Sequence, residues 1–169
     1  MRSKQKEEAA GKMSAKMRAV RILSASSVSK GDLEHRLIEK GENLNDPDFA
    51  KGERFRNNST VFDIERVSNG FDSWLADLGY VREGNYYRVR KKNDTNVVMV
   101  SHGGASSAAL ARIFSLPFPL VAAIVGADYT AVTIVLFEGE EGKLVMPRFE
   151  LVNDAKHIKN IEAEKYFGK

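Results

Sequence analysis

The passage that most constrains the fold is VVMVSHGGASSAALARIF at residues 97–114. Val97, Val98, Met99 and Val100 form an unbroken apolar run, which suits a strand covered on both faces, as in a parallel sheet with helices above and below. The pattern after it predicts a helix over 105–115, ended by Leu116-Pro117. Between strand and helix stand Ser101, His102, Gly103 and Gly104. A strand that runs straight into a helix implies an α/β fold, and in such sheets ligands bind beyond the carboxyl ends of the strands, where His102 stands. The helix that follows offers unpaired backbone N–H groups and the positive end of its dipole, an anion site. Gly103 and Gly104 let a ligand approach the backbone closely. A histidine here can donate a hydrogen bond to a phosphoryl oxygen, and it gains charge near neutral pH. The same residues also fit a buried histidine bonded to a carbonyl, in a Gly-Gly turn needed only for geometry.

The rest of the chain supplies a framework for one domain over 1–169. Residues 3–17 suit an amphipathic helix of good helix formers. Residues 19–23, AVRIL, read as a short strand, followed by a loop through SASSVSKGD. A short helix is expected at 33–39 and then a long loop, a kind of segment that is often functional. Ile64, Val67, Phe71, Trp74, Leu75 and Leu78 recur at three and four residues, so 60–78 is the clearest helix, with Ser59 or Thr60 as its cap and Gly79 as its stop. Residues 85–90, NYYRVR, suit an edge strand. Residues 131–137 and 143–151 alternate in polarity and are joined by EGEEG, a hairpin signal in which Pro147 marks the second strand as an edge. The polar tail from Asn153 reads as helical or frayed.

Composition narrows the function classes. With no Cys among 169 residues, disulfides and thiolate metal sites are excluded, which fits a cytoplasmic location. No apolar run approaches the roughly 20 residues of a membrane helix, and the start lacks a signal pattern, so no membrane role is expected. The net charge of +3 is concentrated at the front, in Arg2, Lys4, Lys6, Lys12, Lys16, Arg18 and Arg21. No aromatic residue is interleaved there to stack on bases, so a solvated helix face is expected and no nucleic-acid partner.

With its flanks, the Ser-His-Gly-Gly passage resembles the second histidine motif of the histidine phosphatase (phosphoglycerate mutase-like) superfamily. The likeness runs through WLADLGYVREGNYYRVRKKND, the strand and helix around His102, and LPFPLVAAIVGADYTAVTIVLFEGEEGKLVMPRF, covering about residues 50–155, the family's C-terminal half. It implies a three-layer α/β/α sandwich with a mostly parallel sheet and an antiparallel edge. It implies phosphomonoester hydrolysis or phosphoryl transfer on a phosphorylated small molecule, with no metal or other cofactor. His102, with Gly103 and Gly104, then binds the phosphoryl oxygens and steadies transition-state charge.

The chain departs from that pattern elsewhere. Members of the family attack through a histidine in Arg-His-Gly, and that tripeptide is absent here; His35 and His157 follow no apolar strand. Residues 1–30 read as a degenerate N-terminal segment, as if the chain were truncated or rearranged, so weak or absent turnover is expected, with marginal stability or homo-oligomerisation. Where relatives carry a general acid, the count back from Arg66-Val67 reaches Asn58, which can bond a substrate but cannot give up a proton. Glu53 is the candidate replacement acid, and Arg54 and Arg56 are candidate ligands for a second anionic group; solvent exposure or surface ion pairing accounts for them equally well.

Two rivals stand beside this reading. A non-catalytic module that binds a phosphorylated ligand needs only the anion site. A serine esterase would use Ser106 in Gly104-Ala105-Ser106-Ser107-Ala108, one residue short of a nucleophile elbow, with Asp128 or Asp154 and then His157 following in order.

Overall fold

In the computed structural model the described residues are 20–22, 37–53, 55–56, 58–125 and 128–158. The expected helix over 3–17, the loop at 24–32, Arg54 and His35 lie outside them. The elements run β1 (Val20–Ile22), α1 (Ser59–Asp77), β2 (Tyr80–Glu83), β3 (Tyr86–Val89), β4 (Val98–Val100), α2 (Gly103–Phe114), α3 (Phe118–Ile124), β5 (Val132–Leu136), β6 (Leu144–Val145) and β7 (Arg148–Asp154). Helices and strands thus share one α/β chain. The parallel ladder pairs β1 with β4, Val20 opposite Val98 and Ile22 opposite Val100. The order β2-β3-β6 and the pair β5-β7 are antiparallel.

α1 forms where its apolar period places it. Val67, Phe71 and Leu75 are buried, with Ile64, Trp74 and Leu78 half-buried beside them. Burial of Phe71 or Leu75 contributes on the order of 1.5–3 kcal/mol each. The cap is neither Ser59 nor Thr60 but Asn58, whose extended backbone and side-chain oxygen take the Thr60 N–H at 2.9 Å. A capping residue needs that extended conformation, and three successive polar residues hide which one adopts it. Gly79 closes the helix at φ +99°, and a Cβ there would collide with the Lys91 carbonyl oxygen.

Gly79 turns the chain into β2, a strand the sequence pattern left unassigned. Gly84, at φ +60°, and Asn85 then reverse the chain into β3. β3 is therefore no edge strand. It lies between β2 and β6, and Tyr87 and Val89 are among the most buried side chains, at 0% and 1% exposure. The span 143–151 also divides: β6 pairs with β3, and only after Pro147, which has no N–H to donate, does β7 pair with β5. Among the described residues β7 does stand at an edge.

α2 is rich in alanine, and Ala105, Ala108, Ala109 and Ala111 are all buried, so its neighbours pack close to its backbone. Ser115, left-handed at φ 54°, ends it. α3 was not expected as a helix; Pro117 and Pro119 frame its first turn, where prolines are tolerated. Stacking of Phe114 on Phe149 at 4.1 Å ties α2 to β7. β4 is not covered on both faces. Met99 packs against the core, while Val98 and Val100 are 43% and 55% exposed.

Candidate functional site

His102 is the N-cap residue of α2, with extended backbone at φ −123° and ψ 167°. Its carbonyl accepts the first helical hydrogen bond, from the Ser106 N–H at 2.9 Å. The N–H groups of Gly103, Gly104 and Ala105 precede that bond and have no partner within the helix. No acidic residue occupies the first turn, so no carboxylate of the helix itself opposes an anion there. A Cβ on Gly104 would meet nothing within 4 Å, which leaves room above the turn. The His102 residue is exposed, so it is not a buried histidine. Chemically, the corner joins an imidazole to a set of amide donors and the positive end of a helix.

The opposite end of α2 is tied down. Arg82 donates from Nη1 to the Arg112 carbonyl at 2.6 Å and to the Tyr87 hydroxyl at 2.9 Å, and from Nη2 to Ser115 Oγ at 2.6 Å. A guanidinium thus caps the carbonyl end of the helix, where the dipole favours positive charge. Tyr87 donates to Asp72 Oδ1 at 3.2 Å, and Arg112 Nε donates to Asp72 Oδ2 at 2.7 Å. Burial, and then the Asp72 carboxylate, push the Tyr87 hydroxyl up to about 12. Sequence reading missed these four residues. Arg82 and Tyr87 face each other only because of the β2–β3 turn, and no spacing along the chain signals their meeting with Asp72 and Arg112.

The other candidates are placed locally. Asn58 caps α1 and is half-buried, so its side-chain oxygen is already engaged. Arg56 is exposed, and its backbone N–H goes to the Gly52 carbonyl at 2.9 Å. Glu53 is exposed and lines a cleft with Phe49, Phe55 and Pro119, not with His102 or its glycines. The serine triad is not assembled. His157 Nε2 lies 3.0 Å from Thr130 Oγ1, and the Asp128 carboxylate accepts from Asn153 Nδ2 at 3.0 Å. Asp154 accepts the Lys156 backbone N–H at 2.9 Å. Ser106 is held at the first turn of α2 by its own N–H bond to His102.

Residues 82–149 match the family model of the Histidine phosphatase superfamily (branch 1). The matched stretch runs from Arg82 through the hairpin, β4, His102 and α2 to Phe149, inside the 50–155 span of the resemblance, and it supports assignment to that superfamily. No curated protein and no solved structure matches the chain.

Proposed function

We propose that the chain binds the phosphoryl group of a phosphorylated small molecule at His102, Gly103 and Gly104, as a histidine phosphatase or mutase-type protein. The observation that carries this reading is the position of His102 as cap of α2, beside amides with no partner within the helix, inside the matched stretch. The imidazole donates to one phosphoryl oxygen while the amides of the first turn hold others. As negative charge develops on the transferring group, donors already aimed at it stabilise the transition state more than the ground state. The same proposal includes a three-layer sandwich in which β1 and β4 belong to a larger parallel sheet. It also includes self-association, for which the exposed Val98 and Val100 supply apolar surface.

One observation favours binding over turnover. Arg-His-Gly is absent from all 169 residues, and without a nucleophilic histidine there is no phosphohistidine route. The reading therefore gives weak or no hydrolysis. The test is release of p-nitrophenol from p-nitrophenyl phosphate between pH 5 and 8, for the chain and for His102→Ala, with and without a chelator. Background rates in both are the expected result. Turnover that is lost in the variant and indifferent to the chelator would show that another residue replaces the nucleophile.

A further inference from the structure

The described strands differ in how their open edges are guarded. An edge strand presents unpaired N–H and C=O groups, and charges, prolines, bulges or shortness keep it from pairing with another chain. β1 carries Arg21. β2 carries Arg82 and Glu83, and β7 carries Arg148, Glu150 and Asp154. β6 has only two residues, and Pro147 follows closely. The β5–β7 pair is irregular, with register shifts on either side of Ile134. β3 has a partner on each side. β4 has none of these guards. Val98, Met99 and Val100 bring no charge, proline or register shift, and β1 is the one described strand paired with them.

The side chains of β4 alternate between faces. Met99 packs against the core, while Val98 and Val100, on the opposite face, are exposed. Asn96, Val97 and Ser101 extend the uncharged stretch at both ends. The strand is also symmetric. Val-Met-Val reads the same in both directions, so antiparallel pairing about Met99 sets Val98 of one copy opposite Val100 of the other, and the reverse. Such a contact is isologous, and because β1 fills the other edge of each β4, it closes at two copies.

We propose that β4 is a dimer interface of this chain: a second copy adds its own β4 antiparallel, across a two-fold axis at Met99, to give a joined sheet of order β1-β4-β4-β1. The inference rests on the self-association in the reading above and names its surface. The backbone groups of the two open edges bond each other, and two Val98–Val100 pairs bring β-branched side chains together. No like charges meet at the axis. Both Met99 side chains stay on one face, so each copy keeps its core under its own half of the sheet. Each His102 stands three residues beyond Met99, which sets the two phosphoryl corners at opposite ends of the joined strands, about 20 Å apart. A ladder this short belongs to the small, weak class of interfaces, so the dimer is concentration-dependent.

The test is sedimentation velocity of the whole chain over a wide range of concentration, with cysteine pairing to map the contact. The chain has no cysteine of its own, so an introduced one can pair only with another introduced one. The expected result is a sedimentation coefficient that rises with concentration to that of a dimer and no further. Val98→Lys alters an exposed side chain, so the urea midpoint at low concentration should stay in place while the dimer dissociates about tenfold more readily. A mixture of Val98→Cys and Val100→Cys chains, gently oxidised, should form the mixed disulfide ahead of either symmetric one. A monomer at every concentration would overturn both the self-association and this interface. A dimer that Val98→Lys leaves intact, or that forms the symmetric disulfides as readily as the mixed one, would overturn the interface alone.

Discussion

The two ends of α2 are built to opposite specifications. At its C-terminal end Asp72, Arg82, Tyr87 and Arg112 converge from a helix, a hairpin and α2 itself, around a tyrosine with 0% exposure. At its N-terminal end His102 is exposed, three amides lack helical partners and the neighbouring strand leaves Val98 and Val100 open. One helix thus has side chains bonded around its carbonyl end, while at its other end the first amides have no partner within the helix.

The strongest way to break this contrast is Tyr87→Ala. It removes a fully buried ring that contacts Phe137 at a centroid distance of 5.3 Å and is bonded to both Arg82 and Asp72. Urea denaturation should show a loss of about 3–5 kcal/mol. Asp72→Ala comes next. It leaves Arg112 and Tyr87 without their carboxylate, and because Arg112 is 38% exposed water offsets part of the loss, so about 1–2 kcal/mol is expected in the same assay.

The fixed end should also respond to alkali. The folded-state pKa of Tyr87 is raised, so the folded state favours the neutral phenol. Its contribution is complete below the ordinary tyrosine value near 10 and is lost as pH rises toward about 12. Denaturation midpoints followed from pH 9 to 12 should fall more steeply for the parent chain than for Tyr87→Phe. The smallest effect belongs to a simple cap. Asn58→Ala should cost about 1 kcal/mol and leave phosphate binding unaltered, whereas a substrate role for Asn58 would reduce both.

The contrast also separates what was legible in the sequence from what was not. α1 was readable because Ile64 to Leu78 repeat at helical period, and β4 and α2 because an apolar run meets Gly-Gly. The His102 end lay in one continuous passage, so local pattern carried it. The Tyr87 end was hidden because its four residues are brought together by tertiary packing. The role of β3 was missed for a related reason: NYYRVR alternates like an edge strand, but its neighbours β2 and β6 come from a turn at Gly84 and from a segment some 55 residues later. The coverage of β4 was misjudged because an apolar run says that a strand can be buried, not that elements exist to bury both faces.

The most direct test of the account is the binding of orthophosphate or vanadate to the purified chain and to His102→Ala, followed by ³¹P or ⁵¹V NMR line broadening. The account predicts saturable binding in the parent chain, weakened about tenfold to a hundredfold in the variant, as for loss of a hydrogen bond to a charged group. Equal binding by both proteins, or none by the parent chain, would contradict the assignment of the α2 N-terminus as a phosphoryl site.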